Sequence, residues 1–172
     1  MTISAVAATL GLILFPLAMI YAGVMDVATL KIRNALVLAI GVAWLVLALR
    51  ARFSLTELGM SLGVAALVFV CTFTFFSFGW IGGGDAKLAA VAALWFQPEE
   101  ALLFFVYASF LGGLLTLAIL QLRVRMLPAV FVRVPWITQL QDSRSGVPYG
   151  AAMAPAALIV LPNSAWIAHA VT

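Results

Sequence analysis

Two acidic residues, Asp26 and Asp85, are where chemistry in this chain can start. They belong to a set of only 6 Asp plus Glu in 172 residues, against a background that is 66% hydrophobic and 9% charged. Asp26 closes one long apolar segment and Asp85 opens another. An acidic side chain at the edge of hydrocarbon is a functional candidate by default, because an ionised carboxylate is expensive there. Two carboxylates brought close together in a partly dehydrated site cannot both ionise, so they share one proton and titrate as a unit. The ionised member can take a proton from water while the protonated member polarises a peptide carbonyl, a two-carboxylate route to amide hydrolysis. That route needs neither a metal nor a cofactor, and none is expected. The single histidine, His169, lies near the end of the sequence and reads as an interfacial residue, across the membrane from Ser143 and Ser145, so a serine nucleophile has no base. The single cysteine, Cys71, sits within an apolar run and reads as packing.

The elements that must position the two aspartates are membrane spans. A soluble domain carries about 45–50% apolar and roughly 25% charged residues, so this composition excludes a water-soluble monomer. A net charge of +3 does not suggest nucleic acid, because the basic residues fall between apolar segments, where they orient a membrane protein. Apolar stretches run over about Ser4–Met25, Ala35–Leu49, Leu58–Trp80, Ala86–Phe96, Ala101–Leu122 and Tyr149–Ala170. The expected fold is therefore all-α, a polytopic membrane helix bundle of about six transmembrane helices forming one integral-membrane domain over 1–172. The fourth stretch is too short to cross a roughly 30 Å hydrocarbon layer at about 1.5 Å per residue. It either lengthens through its flanking loops or packs inside the bundle.

Connections one, three and five hold Lys31, Arg33, Lys87, Arg123, Arg125, Arg133 and Arg144, whereas the second holds only Arg50 and Arg52 and the fourth carries Glu99 and Glu100. By the positive-inside rule the odd connections are cytoplasmic and both termini face outward. Asp26 and Asp85 then lie at one membrane face, the cytoplasmic one. The long connection from Arg123 to Val147 mixes arginines with Phe131, Trp136 and Ile137 and suits the headgroup layer. Pro128 and Pro135 make one continuous helix there unfavourable.

Each residue near the pair also has a structural reading. Asp85 follows Gly82, Gly83 and Gly84 and suits a helix N-cap. The glycines form either a bare backbone that another chain can approach or a plain turn. Asn34 suits the N-cap of the second helix, and Lys31, Arg33 and Lys87 mark the cytoplasmic face or meet anionic lipid. Lys87, two residues beyond Asp85, also suits a role in holding that carboxylate ionised. Asp26, at the negative end of its own helix, has no comparable structural use.

The stretch Asp26-Val27-Ala28-Thr29-Leu30-Lys31-Ile32-Arg33-Asn34, together with Gly82-Gly83-Gly84-Asp85-Ala86-Lys87-Leu88, resembles the type IV prepilin peptidases, membrane aspartyl proteases of the GxGD type. Val147-Pro148-Tyr149-Gly150-Ala151 resembles the Pro-x-Gly turn with which that family enters its last helix. The resemblance implies that Asp26 and Asp85 are the catalytic pair, that Gly82 and Gly84 are the motif glycines, and that Lys87 and Asn34 support the site. It also implies a prepilin substrate whose basic leader is cleaved at the cytoplasmic face of the bacterial inner membrane. Where many members have Ile-Pro-Asn, this chain has Ile32-Arg33-Asn34. With one cysteine it lacks the paired CxxC motifs of the larger bifunctional members, so it looks like the short, peptidase-only branch associated with Flp-type pili, without methyltransferase activity. The rival expectation is a small proton-coupled transporter or channel subunit, which calls for carboxylates deeper in the hydrocarbon or an internal repeat.

Overall fold

The computed structural model describes residues 2–124 and 134–171. Arg125, Pro128, Phe131 and Arg133, included above in the long connection, lie outside the described residues. All regular elements among the described residues are helical: α1 Ile3–Thr29, α2 Asn34–Arg50, α3 Leu55–Ser77, α4 Gly83–Ala93, α5 Pro98–Val124, α6 Pro135–Gln141, α7 Gly150–Val160, a 3-10 turn Leu161–Asn163, and α8 Ala165–Val171. The protein is thus an all-α membrane helix bundle, as expected.

The count of spans is where structure and sequence part. Three helices, α1, α3 and α5, are long and apolar enough to cross a membrane, and α7 with α8 makes a fourth if that pair, bent by 46°, is one span. The sixth stretch, read above as one helix, is interrupted at Leu161–Ser164, where Pro162 has no N–H to continue the α-helical ladder. The α8 start is secured from another helix, since the Ala165 N–H donates to Glu100 Oε1 at 2.8 Å. The fourth stretch becomes α4, whose 11 residues bury Ala86, Leu88, Ala89, Ala90, Ala92 and Ala93. With so many alanines the helix is thin enough to be enclosed by α2, α3 and α7, so it packs inside the bundle.

The outer helices show the opposite pattern. Only Ser61 and Ala65 of α3 are buried, while Leu67, Phe69, Val70 and Phe73 are exposed. That is the surface of a helix solvated by lipid tails.

In α1 the buried positions Ala8, Gly11, Phe15, Met19, Ala22 and Asp26 recur every three or four residues, forming one helical stripe. Asp26 therefore lies inside the helix on its buried face, one turn before the end. The helix closes at Leu30, which adopts φ 50 and donates its N–H to the Asp26 carbonyl at 2.7 Å. At the far end of the stripe, Phe15 stacks on Trp95 with centroids 4.6 Å apart, and Trp95 stacks on Trp166 at 4.8 Å. A β-carbon on Gly11 would lie 2.7 Å from the Trp166 ring. Gly11→Ala is expected to destabilise the protein by about 1–3 kcal/mol through overpacking. Thermal unfolding in detergent checks this, and catalysis by the surviving folded fraction should be unchanged.

Candidate active site

The α1 stripe delivers Asp26, and α4 delivers Asp85 from its first turn, into one cavity of about 430 Å³. Ile32, Asn34 and the glycine run Gly82, Gly83 and Gly84 line it with them. The two carboxyl groups interact side chain to side chain. Sequence reasoning is met here: residues 59 positions apart share one site at one end of the bundle.

Asp26 is 3% exposed, so its carboxyl needs partners within the protein. The missing partner comes from the start of α7. Gly150 N–H donates to Asp26 Oδ2 at 2.8 Å across 124 residues of sequence. The positive end of α7 thus offsets the unfavourable position of Asp26 near the negative end of α1. Only glycine fits this place, because a β-carbon on Gly150 would lie 2.9 Å from Asp26 Oδ2. The Pro148-Tyr149-Gly150 turn is visible in the sequence, but its contact with Asp26 is not. The available signal was a glycine opening a helix directly after Pro-Tyr, at the same membrane end as the pair.

Asp85 is not the N-cap that the glycine run suggested. Gly82 is the N-cap of α4, and Asp85 stands three residues further on. Its side chain folds back toward the Gly82 backbone, and a β-carbon on Gly82 would meet Asp85 Oδ2 at 2.8 Å. Asp85 Oδ1 is buried and accepts no hydrogen bond from the described residues. This second carboxyl thus has one oxygen turned toward Gly82 and the other buried without a partner among the described residues.

Asn34 is likewise no N-cap, since Arg33 precedes α2 in that role without a side-chain bond. Asn34 Oδ1 accepts from Lys87 Nζ at 3.1 Å, tying the start of α2 to α4 beside the site. The Lys87 ammonium is directed to Asn34 rather than toward Asp85, so the suggestion that it holds Asp85 ionised is not supported. His169 belongs to a different cluster, with Nε2 3.1 Å from Glu57 Oε1 and its ring 4.1 Å from that of Phe53.

Two carboxyl groups lining one cavity, one held by the first turn of α7 and the other standing in the first turn of α4, define a polytopic helical membrane protein with a paired-carboxylate centre. The type IV leader peptidase family matches residues 13–117, which include Asp26, Asn34, the glycine run, Asp85 and Lys87. The chain belongs to that family and is a membrane peptidase acting on type IV prepilin leaders. No curated protein and no solved structure matches it.

Proposed function

We propose that this protein is an aspartyl endopeptidase in which Asp26 and Asp85 form the catalytic pair. The observation that carries the reading is the presence of both carboxyl groups in one cavity, with Asp26 Oδ2 held by the Gly150 N–H at 2.8 Å. One carboxylate activates water and the protonated one polarises the scissile carbonyl, the proton passing between them during each turnover. Gly82 and Gly84 keep the backbone bare where an extended peptide must lie beside Asp85. No cofactor takes part.

Residues 1–172 act as one integral-membrane peptidase unit in the bacterial inner membrane. The site faces the cytoplasm, where Lys31, Arg33 and Lys87 would also meet anionic lipid headgroups. The prepilin presents its basic leader on that side and its apolar N-terminal helix to the bilayer. The lone cysteine favours the peptidase-only, Flp-type branch. The transporter reading has nothing in its favour, because both carboxylates lie within one turn of a helix end.

Co-expression with a pilin precursor is the test. The parent protein should shorten the precursor at one bond, identified by the mass of the new N-terminus, and the Asp26→Asn/Asp85→Asn protein should leave it full length. Processing by that variant would refute the mechanism. Asn34 and Lys87 act as a positioning pair through their shared bond. Asn34→Ala and Lys87→Ala should each slow processing several-fold, and the double variant should be no slower than either. Rates of leader removal in purified form measure that coupling.

A further inference from the structure

The two glycines that bracket the aspartates have one neighbour in common. A β-carbon on Gly84 would lie 3.2 Å from Ile32 Cβ and 3.4 Å from its backbone nitrogen, and one on Gly150 would lie 3.2 Å from Ile32 Cδ1. The Ile32 side chain therefore reaches from the turn before Asp85 to the N–H that holds Asp26. It is half-buried and lines the same cavity as both carboxylates, whereas its neighbours Lys31 and Arg33 are exposed. An extended segment with one aliphatic side chain turned inward and charged ones turned out is laid against bare glycine backbone.

A peptide about to be hydrolysed has to adopt much the same arrangement. Its backbone must come against the glycines for the scissile carbonyl to reach the carboxyl pair, and a side chain next to that carbonyl then points where Ile32 now lies. Two chains cannot occupy one slot. The connection that carries Ile32 runs only from Leu30 to Arg33, and it enters through a left-handed non-glycine residue at Leu30, a conformation with a small intrinsic penalty.

We propose that the Gly84–Gly150 slot is the subsite for an apolar side chain adjoining the scissile bond, and that Ile32 fills it in the free protein and yields it to the substrate. The proposal rests on Asp26 and Asp85 being the catalytic pair. Two consequences follow from the geometry. Ile32 narrows the approach of solvent to Asp26, which is 3% exposed, until a peptide displaces it. The slot also selects for an aliphatic or aromatic side chain, because a polar one would be left without partners against Gly84, Gly150 and the aliphatic wall.

The test uses the full chain in detergent and a pilin precursor that the parent processes, with the residue on each side of the scissile bond replaced in turn by Ala, Leu and Trp. Ile32→Ala should raise the kcat/KM ratio of Trp to Ala substrate at one of those positions by roughly tenfold, because a Trp side chain must displace Ile32 from the slot and an Ala side chain need not. Ile32→Val should move it in the same direction by less. Labelling of Asp26 and Asp85 by a water-soluble carbodiimide, read by mass spectrometry, should be several-fold faster in Ile32→Ala. A uniform change across all substrates, with labelling at the parental rate, would make Ile32 a packing residue and overturn the subsite. Asp26→Asn run alongside separates the two ideas: processing by that variant sinks the catalytic reading, whereas an inactive Asp26→Asn with unaltered Ile32→Ala preference sinks only the subsite.

Discussion

Asp26→Asn, Asp85→Asn and the variant carrying both should lose leader removal to the same extent, by at least ~10³-fold, since under the proposed mechanism the two carboxyls act as one unit and removing either removes the unit. Asparagine keeps the shape of the side chain and an oxygen that can still accept the Gly150 N–H, now 2.8 Å from Asp26 Oδ2, so the bundle should assemble as before. Their melting temperatures should equal or exceed that of the parent. A buried pair that must share a proton is a standing electrostatic cost, and a neutral amide relieves it at the expense of activity. The shared proton also requires activity against pH to be bell-shaped, rising as the first carboxyl ionises and falling as the second does. Leader removal timed across pH, with thermal unfolding of each variant, checks both statements. Losses that add when the two changes are combined would mean that the carboxyls work separately.

How much of this was legible in the residue order varies by element. The pairing of Asp26 with Asp85 could be read, because in a chain with 9% charged residues an acidic side chain at a span end has few structural uses and the basic connections orient both ends alike. The enclosure of α4 was foreshadowed by its length, since 11 residues make only about half a crossing at 1.5 Å each. The number of spans was not readable. Hydropathy treats an alanine facing protein and a leucine facing lipid as the same signal, so it cannot separate the enclosed α4 from the lipid-bathed α3, nor see that Pro162 breaks the last stretch. Cap assignments at Asp85 and Asn34 failed for a related reason. Both residues carry good capping side chains, but Asp85 stands three residues beyond the Gly82 N-cap with its carboxyl turned back toward it, and Asn34 is claimed by Lys87, 53 positions away.

Gly150→Ala should cut kcat for leader removal by ~10²-fold or more while costing only about 1–3 kcal/mol of stability. The new methyl group would stand 2.9 Å from Asp26 Oδ2 and 3.2 Å from Ile32 Cδ1, so either the carboxyl turns away or the start of α7 retreats. In both cases the 2.8 Å bond from the Gly150 N–H is lengthened, and the orientation of Asp26 toward Asp85 is lost with it. The backbone itself does not forbid alanine, since φ at Gly150 is ordinary for a helix and the left-handed glycine of the described residues is Gly79. The deficit therefore comes from the contact and not from strain. Gly11→Ala supplies the comparison: its added carbon meets Trp166 at 2.7 Å, at the opposite end of the α1 stripe from Asp26, and should lower stability with little effect on turnover. If Gly150→Ala and Gly11→Ala lose activity only in proportion to the protein unfolded, the Gly150 N–H is a helix-packing contact. If turnover falls in the folded Gly150→Ala protein alone, the first turn of α7 holds the catalytic carboxyl in place.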